Sequence, residues 1–483
     1  MDSHNDPHHH HHHHDHPTAT TDPNKLPTGA QIPLQSFQLP PFPTEASHLQ
    51  ALTITSDIKL PDYSNLLTTA LPADAIIPPS LPSGIESLTL ELFSLGYPAP
   101  FLSELGRKLP RLKSLTVYSQ LIDGVSDESR KDAGGFFNEI LLGGGGGGGG
   151  DGGNGNDDGG LRELHLLDTF SRKGFISGLG AILESQHRED PQKGKLRFLE
   201  ISYTYRGHSD AGFLARIPGD EFPTMLVPSL MAVSFSLNSP PADSQQGGDG
   251  GGDLPLDPAD VDEEGKPIPG KKPEGIVPLS NGNGGVEVLV RKLCGEGLTV
   301  ECSENGKERE EFSPPGSGPG PTGLKMLDAT LYTIDAGQLG KIMKVQKELG
   351  VLSVSVLVEP TGEWKEKLIH ALHGGVDGNG AAELEIVEVI GVPDDQFDKE
   401  VSASTSLESD TTSSILEKVF PSATDMALLS KHAPKLESFR MSILRAASFG
   451  HVEWNRNIPG AVSGPGGTIV ADGGWVGGMS KAG

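Results

Sequence analysis

One pattern constrains this chain more than any other: a three-point apolar signature, Leu-x-x-Leu-x-Leu, that keeps returning after a helical stretch and a polar turn. Its clearest copies are Leu49/Leu52/Ile54, Leu112/Leu115/Val117, Leu161/Leu164/Leu166, Leu196/Leu199/Ile201 and Leu349/Leu352/Val354. Chance in a chain of this leucine content gives roughly one or two strict matches. Looser copies begin at Ile85, Leu230, Leu324, Leu384 and Leu436. The segment ahead of Leu112 carries Phe101, Leu102, Leu105 and Leu109 on one helical face, the spacing of a helix that buries a stripe. Pro110, Pro228 and Pro434 each stand two residues before a leading Leu, where a helix must already have ended. Where no long interruption intervenes, copies start 25 to 36 residues apart, which is room for one helix and one strand. Each unit can bury its leucines only against the next. This predicts strands starting near residues 50, 86, 113, 162, 197, 231, 325, 350, 385 and 437, side by side in one parallel, curved sheet.

The interruptions have a different composition. Gly 64 and Pro 38 make up about a fifth of the 483 residues and are clustered. The expected organisation is a polar, His- and Pro-rich tail over residues 1–45, a repeat region over 46–456, and a Gly-rich tail over 457–483. Disordered insertions are expected at 143–160, 239–285, 303–323 and 399–414, because none has enough apolar surface to offset its ordering entropy. What remains, roughly 320 residues, suffices for one large core or one solenoid.

The recurring unit resembles the ribonuclease-inhibitor-like kind of leucine-rich repeat, of the irregular sort found in fungal F-box/leucine-rich-repeat proteins and their relatives. The resemblance covers about two thirds of the chain. It implies an α/β solenoid, with a curved parallel sheet on one side, outer helices on the other, and a non-catalytic role in binding proteins. There are two departures from the pattern. The Asn that follows each strand in the family is clear only at Asn238; elsewhere the place holds Asp57, Gln120, Thr169 or Thr204. An F-box helix bundle is not readable either: Leu71 to Ile77 resembles its opening, but Pro78, Pro79 and Pro82 break the helix that should follow. A ubiquitin-ligase adaptor is therefore an alternative resting on fold analogy, and an enzyme of unrecognised type is another.

Alternation along each strand turns the residues between the buried leucines toward the open face. That face is expected to carry Thr53, Glu91, Ser114, Thr116, Tyr118, His165, Glu200, Asp328, Glu388 and Arg440. Within it, Tyr118, Thr116, His165, Glu200, Glu388 and Arg440 are the candidate partner-binding residues, with Tyr118 as anchor. The partner expected is a protein. A net charge of −27 repels phosphate backbones and anionic lipid, so neither nucleic acid nor a membrane is expected, and no run of about 18 apolar residues occurs. Two cysteines, Cys294 and Cys302, exclude a disulfide-stapled secreted domain, though they could form one bridge. No apolar stretch follows Met1, and the expected compartment is the cytoplasm or nucleus.

Several motifs fail on their context, and no cofactor is expected. The histidine run His8 to His14 would bind transition metals in any geometry, as a low-complexity tract or tag does. His370 and His373 lie i, i+3, a spacing that could chelate, but no third ligand stands at zinc spacing and a helix C-terminus favours histidine in any case. The Gly-rich run before Leu161 precedes a strand rather than a helix, unlike a phosphate loop. Gly467 to Trp475 resembles the closing segment of short-chain dehydrogenases, yet no Tyr-x-x-x-Lys pair exists. A terminal β-hairpin, or a tail with Trp475 docked on the last repeat, is the expectation there.

Overall fold

The computed structural model describes residues 28–69, 72–143, 159–192, 194–204, 216–238, 279–280, 285–297, 314–359, 361–375, 380–397, 399, 416–444, 451–456 and 473–480. Most of the four expected insertions lies outside these residues, as do His8 to His14, Cys302 and residues 457–472.

The chain builds one thirteen-stranded sheet in which sequence order and spatial order coincide. The strands are β1 Gly29–Leu34, β2 Ala51–Ser56, β3 Ser87–Glu91, β4 Ser114–Leu121, β5 Glu163–Phe170, β6 Phe198–Thr204, β7 Ala232–Asn238, β8 Met326–Ile334, β9 Val351–Val358, β10 Ile386–Pro393, β11 Ser438–Ile443, β12 His451–Arg456 and β13 Trp475–Ser480. From β1 to β11 every neighbouring pair is parallel. All ten strands foreseen from the repeat are present, as β2 to β11. The leading, fourth and sixth residues of all ten copies are buried, from Leu49, Leu52 and Ile54 to Leu436, Phe439 and Met441. This is a leucine-rich-repeat α/β solenoid.

Helices between the strands pack on the other side: α1 Leu60–Thr68, α2 Ala73–Ile76, α3 Phe101–Arg107, α4 Asp127–Leu142, α5 Phe175–Glu189, α6 Val286–Leu293, α7 Ala336–Val345, α8 Trp364–Leu372 and α9 Ala423–His432. Local sequence starts several of them. Ser126, Asp335 and Ser422 each accept from the amide three residues on, and Ser129, Gln338 and Asp425 reach back, which satisfies amides that a helix start leaves open. Neighbouring helices touch closely where a side chain is missing: a Cβ on Gly106 would stand 2.9 Å from the Phe136 ring.

Polar residues tie three of the strands to the one before. Gln120 donates to the Leu90 carbonyl at 2.8 Å, Thr169 to Val117 at 2.9 Å, and Ser355 to Thr330 at 2.8 Å. Gln120 and Thr169, two of the residues that stand where the resembled repeat has Asn, are register partners. Asn238, the one residue that matched, is exposed.

Three boundaries differ from expectation. Part of the expected N-terminal tail is folded: β1 pairs with β2 along its length, and Phe37, fully buried, touches the rings of Tyr63, Phe93, Tyr97 and Phe101. Pro33 is tolerated because β1 is an edge strand, where a missing N–H costs no ladder bond. Leu279, inside the expected insertion 239–285, is buried and bridges Tyr332, where β8 slips register between Asp328 and Thr333. Residues 314–323 also fold against the core: Gly316 donates to Glu184 and the Pro321 carbonyl accepts from Gln346. Gly/Pro composition signals low ordering tendency, but buried side-chain partners supply what the segment lacks. At the other end β11, β12 and β13 are antiparallel, and fully buried Trp475 closes the stack. The docked tryptophan is present; Gly467 to Asp472, the rest of that stretch up to Gly473, lie outside the described residues.

Candidate strand-face interface

The strand register resolves the open face into rows. One row crosses all thirteen strands: Gln31, Thr53, Thr89, Thr116, His165, Glu200, Ser234, Asp328, Ser353, Glu388, Arg440, Glu453 and Gly478. Five of the six candidates, Thr116, His165, Glu200, Glu388 and Arg440, thus lie on a single line. Tyr118 stands two residues farther along β4, in the next row, between Glu91 and Leu167. Its ring is 38% exposed. No other aromatic of β4 or β5 reaches solvent to that degree.

The line is bound together by polar contacts. His165 Nδ1 lies 2.9 Å from Glu200 Oε1, and its Nε2 lies 3.7 Å from Glu163 Oε2. The hydrogen bond to Glu200, reinforced by both negative charges, raises the His165 pKa above its ordinary 6.5 against the opposing effect of burial. Arg440 lies 3.5 Å from Glu453, and Thr55 donates to Glu91 at 3.0 Å. Asp328 accepts from the Thr330 amide and hydroxyl. Burial pushes its carboxyl pKa up despite those bonds, and Glu388 and Glu200 push it further. Acidic charge is therefore crowded along this row.

His165 gives a pH test. Its folded pKa is raised, so the His165–Glu200 contribution is complete below the unfolded value and fades as pH rises through the folded one. From about pH 6 to about pH 8, the thermal midpoint of the native chain should fall relative to that of His165→Gln. The change is small because both side chains are partly solvated. Parallel profiles for the two proteins would remove His165 from the titration.

A second row, missed by inspection of the sequence, runs beside the acidic one: Phe198, Ala232, Met326, Val351 and Ile386. Phe198 and Ile386 are 40% and 45% exposed. The signal for it was available, since these residues stand two places before Glu200, Ser234, Asp328, Ser353 and Glu388 and share their face. Glu453 was missed for another reason: β12 is no repeat copy.

The other candidates settle as follows. His370 and His373 lie edge to face with ring centroids 5.3 Å apart, and His373 stacks on His432 at 4.1 Å. His373 Nδ1 donates to the Gly375 carbonyl at 2.9 Å, which takes that nitrogen out of metal coordination. Burial, with His432 and His370, lowers the His373 pKa. Among the described residues no group of three or more histidine, cysteine or acidic side chains is placed to hold a metal ion. Cys294 is half-buried, and burial raises its thiol pKa. No helix of the described residues is long and apolar enough to cross a membrane.

The fold and this face define the chain as a leucine-rich-repeat solenoid with an open, polar-and-apolar strand surface. The sequence matches no family model and no curated protein. Among solved structures, the crystal structure of an internalin from Listeria monocytogenes is similar over 73% of this chain and 51% of that one, at 12% identity and a TM-score of 0.20. The chain thus spans about half the length of that protein. The assignment of the fold rests on the strand register and the buried repeat positions, not on this likeness.

Proposed function

We propose that this protein is a non-catalytic scaffold that binds a protein partner on the strand face. The observation that carries the reading is the thirteen-strand row with its acidic residues, beside which runs the second row with exposed Phe198 and Ile386. Apolar contact area gives such a surface affinity, and its charges give register and on-rate. The acidic row favours a partner segment that carries basic residues. The ubiquitin-ligase alternative draws no support from residues 45–80. There α1, nine residues long, and α2, four residues long, pack into the repeat core through Tyr63 and Ile76. The enzyme alternative draws none from the strand face, where Glu200, Asp328 and Glu453 pair with histidine, threonine and arginine along open strands.

The test is a pair of variants measured against the captured partner. Tyr118→Ala should lose about 2 kcal/mol or more of binding with the fold intact, because an exposed ring gives much contact area at low entropy cost. Lys131→Ala, on the solvent side of α4, should lose nothing measurable. Equal losses in the two would move the working surface off the strand face.

A further inference from the structure

The acidic run and the apolar run of the strand face occupy the same five strands, β6 to β10. Resting on the reading of that face as the working surface, we infer that this patch takes one kind of occupant. It is an amphipathic α-helix of a partner protein, lying across the strands, with lysine or arginine at every seventh residue and an apolar seam beside them.

Charge and apolar surface are both laid out for it. The apolar row runs without a gap through Phe198, Ala232, Met326, Val351 and Ile386, and its two end residues are exposed. Beside it, acids stand on alternate strands only: Glu200 on β6, Asp328 on β8 and Glu388 on β10, with Ser234 and Ser353 between them. Glu200 and Asp328 each turn one oxygen to a neighbour on the face, Oε1 to His165 and Oδ1 to Thr330. Glu388 has no ion pair among the described residues. Beyond the effect of burial, Glu388 and Glu200 both raise the Asp328 pKa. The three charges therefore repel one another across the intervening serines, and a cation over each would relieve that repulsion. His165 on β5 and Arg440 on β11, both basic, close the acidic run at its two ends.

The spacing selects a helix. Neighbouring strands lie about 4.8 Å apart, so the apolar residues recur at that interval and the acids at about 9.6 Å. Seven residues of α-helix rise about 10.5 Å, and apolar residues one and four places after each basic one recur at about 5 Å on the adjoining stripe. From β6 to β10 the patch is about 19 Å wide, the length of about thirteen helical residues. An extended strand fits neither interval, because its same-face side chains recur at about 6.7 Å. A polyproline helix matches the acids, at about 9.3 Å per turn, but leaves every second apolar residue uncovered.

The experiment is a fluorescence-anisotropy titration of the full chain, at physiological ionic strength, with three labelled synthetic peptides. The first is a helical peptide of about eighteen residues, with arginine at every seventh residue and leucine one and four places after each arginine. The second has the same residues in scrambled order, and the third is proline-rich with arginine at every third residue. The first should bind saturably and at least about tenfold more tightly than the other two. Glu200→Gln with Glu388→Gln should weaken it by at least about tenfold, and Phe198→Ser with Ile386→Ser should do the same. Thermal melts of both double variants report whether the fold survives. The absence of saturable binding by the helical peptide, undiminished binding in either folded double variant, or equal affinity for the scrambled or proline-rich peptide would overturn the proposal. The wider reading is tested apart from it, by the captured partner against Tyr118→Ala and Lys131→Ala. A loss confined to Tyr118→Ala keeps the strand face as the working surface even where the helical peptide fails.

Discussion

Replacing Lys292 with methionine is expected to cost about 3–5 kcal/mol of folding stability, as breaking one side of a buried ion pair does. Lys292 is 0% exposed, and its ammonium donates to Glu184 Oε1 at 2.9 Å and to the Leu226 carbonyl at 3.1 Å. Burial lowers the lysine pKa, and Glu184 pulls it back. The same carboxylate oxygen accepts from the Gly316 amide at 2.9 Å, so four separate chain segments meet at one buried charge pair. Removing the cation leaves Glu184, 4% exposed, without compensation. The double variant Lys292→Met with Glu184→Leu should recover most of the loss, because replacing both partners by apolar groups removes the desolvation cost together with the attraction. Denaturant unfolding followed by circular dichroism measures both, and hydrogen exchange at Gly316 should accelerate in the single variant. A single-variant loss below about 1 kcal/mol would mean that the pair is solvated and the segment 314–323 is held by other contacts.

The second large effect is at the C-terminal end. Trp475→Ala should cost about 3–5 kcal/mol, the range for deleting a buried aromatic from a core. Trp475 is fully buried at the start of β13, with the Arg456 guanidinium 5.5 Å from its ring centroid. Arg456 in turn donates to the carbonyls of Gly473 and Pro434. The ring therefore holds the antiparallel cap on the last repeat. Solenoids bury a continuous core that needs covered ends, so the loss should concentrate in β11 to β13 and carry Arg440 and Glu453 with it. Hydrogen exchange should show protection falling there first, with β4 to β6 little changed. Trp475→Phe should restore part of the midpoint. An unchanged midpoint in Trp475→Ala would show that the cap is not coupled to the stack.

The repeat was legible because its physics is local. A strand that buries its fourth and sixth residues announces itself by alternation, and a helix by its stripe. Leu112, Leu115 and Val117 needed only those two periods to be placed. The strand face was legible for the same reason, since Thr116, His165, Glu200, Glu388 and Arg440 occupy the intervening positions. β1 was not, because Gly29 to Leu34 has no leading leucine and borrows its order from β2 and from the ring of Phe37. Nor were Leu279 and residues 314–323, whose composition reads as unfolded and whose order comes from Tyr332, Glu184 and Gln346.

By itself, then, the sequence determined the unit, its count along β2 to β11, and the face each side chain takes. Those follow from backbone periodicity and from the cost of leaving leucine in water. Only the tertiary structure decided which residues between Gln31 and Gly478 fall into one row, which polar side chains bond back to the preceding strand, and where a lysine can be buried. Register between distant strands, partner distances and enclosed volume are properties of pairs of segments, and no window of a single segment contains them.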